Sequence, residues 1–118
     1  MTNSVYRNLI NKIVQACQQK DAERFASVFA DSAQIQLDSQ TTIDGSQIFS
    51  ITDEYFKQLE FIKIEVLAIA INEEQQIAFI EWVWSDFNTV KNKESSHQNT
   101  IVLEFKNDLV YCWREYKI

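Results

Sequence analysis

Between Lys20 and Phe49 three structural events follow one another with almost no slack, and their order constrains the fold more than any other part of the chain. Asp21 can accept hydrogen bonds from the free N–H groups at the start of a short helix, and Glu23 in the first turn suits the positive end of its dipole. That helix carries Phe25, Val28 and Phe29, ends near Ala30 and breaks at Asp31-Ser32. The alternation Ala33-Gln34-Ile35-Gln36-Leu37 then predicts a strand, and Asp44-Gly45 leads into another helix. Gly45 is the only glycine and proline is absent. A lone glycine between strand and helix answers a backbone need, a positive φ or a close packing contact, just before Ser46 caps the next helix.

The flanking segments complete an α+β pattern. Tyr6, Leu9, Ile10, Ile13, Val14 and Cys17 share one face of a helix expected from about Asn3 to Gln19. After Gly45, Ile48, Ile51, Tyr55 and Leu59 recur at helical spacing, with Phe49 and Phe56 widening the stripe. From Phe61 the period changes: Phe61–Ile71, Gln76–Phe87, Ser96–Lys106 and Leu109–Lys117 are rich in β-branched and aromatic residues, and polar turns separate them. Connections this short make neighbouring strands antiparallel. Three helices packed on one face of a curved antiparallel sheet follow, as a single domain spanning residues 1–118.

Composition excludes several functions. Seventeen acidic against eleven scattered basic residues disfavour nucleic acid and anionic membranes as partners. No apolar run approaches a membrane span, and Met1 to Ser4 carry no basic-then-apolar segment, so a cytoplasmic location is expected. Cys17 and Cys112 lie far apart and read as free thiols. There is no glycine-rich phosphate loop, and His97, the single histidine, would lack companions in a metal site. Neither cofactor nor metal is expected.

The succession of a helix, an Asp-capped short helix ending in Phe29-Ala30-Asp31-Ser32-Ala33, a strand, Gly45, a helix and four strands closing on Trp113-Arg114-Glu115-Tyr116 resembles the nuclear transport factor 2-like superfamily, in its SnoaL-like branch. The resemblance covers nearly the whole chain and implies a cystatin-like cone, a bent sheet wrapped round the helices with a pocket opening inside. It also implies a choice among many activities, since the superfamily holds isomerases, cyclases, epoxide hydrolases, dehydratases and binding domains. The three groups that the isomerase members use would fall at Leu37, Ile13 and Ile101, none of which can serve. The inner carboxyl candidates are Asp38 and Asp86, each near a strand end, and no catalytic residue is assigned.

Strand alternation gives a candidate ligand-binding set. His97, Asn99, Ile101, Leu103 and Phe105 form one face of their strand, and Ala78, Ile80, Trp82, Trp84 and Asp86 form one face of the preceding strand. On the last strand the family register would turn Cys112, Arg114 and Tyr116 inward, although Leu109, Tyr111 and Trp113 are equally apolar. Trp82, Trp84, His97, Asn99, Cys112, Arg114 and Tyr116 are thus the candidates. Each also has a plainer reading: core filling for the tryptophans, a hydrogen-bonded mouth residue for His97, inert packing for Cys112, and for Arg114 an internal ion pair in place of a ligand carboxylate.

Phe79, Val83, Phe87, Val102, Tyr111 and Trp113 would project from the opposite face, an apolar area that a homodimer would cover. Two functions stay open. One is a non-catalytic dimeric domain holding a small, partly apolar molecule; the other is an enzyme of the isomerase, cyclase or dehydratase kind using the same pocket.

Overall fold

Helix α1 (Thr2–Gln18) buries Tyr6, Ile10, Ile13, Ala16 and Cys17, with Leu9 and Val14 half-buried beside them, so the expected stripe faces the core. The computed structural model describes residues 2–118, and side chains from residue 5 onward. Met1 and the side chains of residues 2–4, to which the reading of the first residues refers, lie outside that range. Helix α1 ends without glycine. Lys20 takes φ 55°, its N–H reaches the Cys17 carbonyl at 3.0 Å and the Asp21 N–H reaches the Ala16 carbonyl at 2.8 Å, which closes the helix as a Schellman turn.

Asp21 caps the short helix α2 (Ala22–Ala26) by accepting from the Arg24 N–H at 3.0 Å. Phe29 was expected on this helix and instead opens strand β1 (Phe29–Gln36). Pairing decides the matter: Phe29 lies opposite Val110 of the last strand, and the Val110 N–H donates to the Val28 carbonyl at 2.9 Å. A polar three-residue strand, β2 (Thr42–Asp44), pairs with β1 and had no signature in the sequence. A 3-10 turn over Gly45–Gln47 leads into α3 (Ile48–Lys57).

Four long strands follow: β3 (Leu59–Asn72), β4 (Ile77–Asn88), β5 (Lys93–Lys106) and β6 (Leu109–Lys117). They join β1 and β2 in one curved sheet of order β2-β1-β6-β5-β4-β3. All neighbours are antiparallel except β1 and β6, which run parallel. Asn107 and Asp108, both at positive φ, make the tight β5–β6 turn that matches the sheet's twist. At the free edge of β3 the Gln18 side chain accepts from the Ile64 N–H at 2.9 Å and Lys20 Nζ donates to the Leu59 carbonyl at 2.9 Å. The end of α1 thereby blocks an edge that could otherwise pair with another chain.

The helices fill the concave face. Ala78, Ile80, Trp82, Ile101, Leu103 and Phe105 point into the core as the alternation predicts. Tyr6 stacks on Phe105 at 4.2 Å and closes the end where the β5–β6 turn lies. Strand β6 departs from the expected register. Phe105 faces Val110 while Glu104 faces Cys112, so Tyr111 is an extra residue, a β-bulge. Beyond it Trp113, only 3% exposed, and Glu115 turn inward, and Cys112, Arg114 and Tyr116 turn outward.

Gly45 meets the second of its two expected needs. Its φ is not positive; its Cα lies so close to β1 that an added Cβ would collide with the Asp31 carbonyl oxygen and sit 3.0 Å from the carbonyl carbon. Backbone cannot swing aside as a side chain can. Gly45→Ala should lower stability by about 1–3 kcal/mol in urea denaturation. An unchanged midpoint would show that this contact does not hold α3 against β1.

Candidate functional site

The open end of the cone encloses a cavity of about 490 Å³. Its walls come from α1 (Cys17), α2 (Phe25), β1 (Ile35), α3 (Ile51, Thr52, Tyr55, Phe56), β4 (Trp82, Trp84), β5 (His97, Asn99) and β6 (Trp113, Glu115, Lys117). Leu37, Asp38, Thr41 and Ile43 complete the rim. This explains why Ile51 and Tyr55, part of the helical stripe, stay exposed while Ile48 and Phe56 are buried: they face the cavity mouth instead of the core.

Aromatic rings make the floor. Trp113 lies 5.6 Å from Phe25 and 6.0 Å from Trp82, ring centre to ring centre, and both pairs meet edge to face. Trp82 and Trp84 are 6.1 Å apart. Such arrangements favour apolar ligands without orienting them. Orientation must come from the few polar groups.

Asp86, only 5% exposed, accepts on Oδ2 from the Trp84 indole at 2.8 Å and from the Tyr55 hydroxyl at 3.2 Å. It does not line the cavity; it fixes two residues that do, and it ties α3 to β4. Burial, together with the Asp86 carboxyl group, raises the Tyr55 hydroxyl well above its ordinary range, so Tyr55 stays protonated. Cys17 is likewise held as a thiol by burial, with the Glu115 charge adding to the effect. It is no nucleophile. Asp38 lies at the exposed rim and accepts from the N–H groups of Gln40 and Thr41 at 2.8 Å each, a turn-forming role.

Glu115 is the ionisable group that the strand pattern did not single out. It accepts from the Trp113 indole at 3.1 Å and faces the cavity. Burial raises its pKa, and the Trp113 N–H and the Lys117 charge offset only part of that rise. The signal for it was the alternate set Leu109, Tyr111 and Trp113, as apolar as the set preferred; a bulge then carries Glu115 inward with Trp113.

Of the expected ligand-binding residues, Trp82, Trp84, His97 and Asn99 line the cavity, with His97 at the mouth. Cys112, Arg114 and Tyr116 do not, because the bulge at Tyr111 reverses their face. Arg114 is ion-paired with Glu104 on the outer face and donates to Cys112 Sγ at 3.3 Å. Its hydrogen bond holds the Glu104 carboxyl below the usual range. Among the described residues no group of three or more His, Cys, Asp or Glu side chains converges on a metal position, and no helix is long and apolar enough to cross a membrane.

A curved, unclosed six-stranded sheet holding helices and an aromatic cavity defines the NTF2-like class of fold. The model of the SnoaL-like domain matches residues 7–113, and the chain belongs to that family. No curated protein sequence matches it. Among solved structures, an LEH-like epoxide hydrolase from M. tuberculosis superposes with TM-score 0.83 at 13% identity, over 99% of this chain and 84% of that one. An NTF2-like protein from Anabaena variabilis gives 0.83 at 11% identity, over 99% and 89%. The epoxide hydrolase/cyclase-like enzyme SalBIII, of pyran ring formation in salinomycin, gives 0.83 at 8% identity, over 95% and 89%. At such identities the likeness establishes the fold alone.

The raised Glu115 pKa has a measurable consequence. Above the unfolded glutamate value of about 4.3 the unfolded chain releases this proton while the native state still holds it, so the group's contribution to stability falls as pH rises to the folded value. Thermal melts of wild type and Glu115→Gln should show the wild type losing ground to the variant as pH rises above the unfolded glutamate value. A pH-independent difference would place the Glu115 carboxyl in water.

Proposed function

We propose that the chain is a non-catalytic, dimeric binding domain whose cone takes a small, partly apolar organic molecule. The observation that carries this reading is the cavity of about 490 Å³, floored by Phe25, Trp82 and Trp113 and open to solvent at one end. That volume and lining suit a small organic ligand. Leu37, Ile13 and Ile101 stand where the isomerase resemblance requires acid, phenol and acid, which favours binding over that chemistry. A charged ligand gains little, since Glu115 and Lys117 offset each other in the cavity wall and the Arg114 guanidinium is engaged outside by Glu104.

The uncharged dye N-phenyl-1-naphthylamine tests the cavity. Its fluorescence should rise on binding, one molecule per chain, and Leu37→Trp, which narrows the rim, should remove the rise without altering circular dichroism. No rise with wild type, or an equal rise with Leu37→Trp, contradicts the reading.

An enzyme of the isomerase, cyclase or dehydratase kind is the second reading, and Glu115 favours it: a half-buried carboxyl with raised pKa beside an apolar cavity is equipped for proton transfer. Epoxide hydrolase and cyclase-like proteins of the same fold make an epoxide the first substrate to try. Turnover by wild type that Glu115→Gln loses would select this reading.

The dimer is proposed through the outer sheet face. Phe79, 43% exposed, stands between Ala70 and Val102 on the adjacent strands, with Val83 further along its own. Trp113 no longer belongs to this patch. Placing a charge in an apolar contact is costly, so Phe79→Asp should halve the sedimenting mass at micromolar concentration. A wild type that already sediments as a monomer rejects the dimer.

A further inference from the structure

We infer that Trp82 and Asn99 form the polar anchor of the cone, and that it selects neutral alcohols: molecules with an apolar body whose hydroxyl accepts from the Trp82 indole and donates to the Asn99 side-chain oxygen. The inference rests on the reading of the cone as a binding cavity and names the ligand class for it.

Its basis is a contrast among the three tryptophans of the chain. The Trp84 N–H is taken by Asp86 and the Trp113 N–H by Glu115. Trp82 Nε1 has no partner, although the residue is 1% exposed. Asn99 Oδ1 is equally enclosed and unpartnered, and these two are the buried side-chain polar atoms left without a hydrogen bond among the described residues. They belong to residues directly opposite each other on β4 and β5, on the inner face, and both residues line the cavity. Buried polar groups are nearly always paired, so a donor and an acceptor left unpaired on directly opposite residues of the cavity wall point to an occupant that satisfies both.

The chemistry of that occupant follows by matching. A hydroxyl accepts and donates through one atom. A ketone or ether offers no donor and would leave Asn99 Oδ1 unpaired. An ammonium offers no acceptor, and a carboxylate offers no donor. The rings of Phe25, Phe56 and Trp113 then enclose the apolar body.

Three probes with one carbon skeleton test it: 1-tetralol, 1-tetralone and tetralin, titrated into the full chain by calorimetry and by two-dimensional NMR of the indole N–H groups. The Trp82 resonance is identified by its loss in Trp82→Phe. The alcohol should bind about tenfold more tightly than the ketone or the hydrocarbon and move the Trp82 resonance downfield. Trp82→Phe and Asn99→Leu should each weaken the alcohol more than tetralin, so that the preference for the alcohol falls. If Asn99→Leu does not fold, the resonance shift in wild type decides. A ketone that binds as tightly as the alcohol, or an alcohol that binds without moving the Trp82 resonance, overturns the anchor and leaves the cavity reading standing. Failure of all three probes to bind overturns both.

Discussion

One extra residue in β6 determines what the cone contains. Tyr111 has no opposite number on β5, and the strand resumes its alternation with the two faces exchanged. Trp113 thereby joins Phe25 and Trp82 in the floor, Glu115 enters the cavity, and Arg114 leaves it for Glu104. Without the bulge the interior would hold a guanidinium and a thiol, a site for anions. With it the interior holds the Glu115 carboxyl, the Asn99 amide and indoles, with Lys117 beside Glu115 in the wall.

The remaining interactions keep that interior in shape. Asp86 receives both the Trp84 indole and the Tyr55 hydroxyl, so a buried acid on β4 sets the position of α3 at the mouth. Gly45 lets the start of α3 approach β1 at backbone contact, fixing the other end of the same helix. Gln18 and Lys20 close the edge of β3. Helix and sheet are therefore joined by specific polar contacts around an aromatic centre, and the cavity lies where the helices do not reach the sheet.

Much of this was legible in the sequence where periods are long and uninterrupted. The α1 stripe from Tyr6 to Cys17 and the inner faces of β4 and β5 repeat without a break, and each predicts the buried set. Trp82, Trp84, His97 and Asn99 were accordingly found along the cavity. Strand β6 was not legible, because Cys112-Arg114-Tyr116 and Leu109-Tyr111-Trp113 are similar in polarity and a bulge adds no residue type of its own. Phe29 was misread for a related reason: its strand conformation depends on Val110, over eighty residues along the chain. Thr42–Asp44 form a strand only because β1 offers an edge to it.

A crystal structure of the protein grown with 1-tetralol tests the account most directly. The account places the alcohol in the cone with its oxygen between Trp82 Nε1 and Asn99 Oδ1, Glu115 bonded to the Trp113 indole and Arg114 outside on Glu104. A cone filled by its own aromatic side chains, or Arg114 turned inward with Glu115 in solvent, would contradict it.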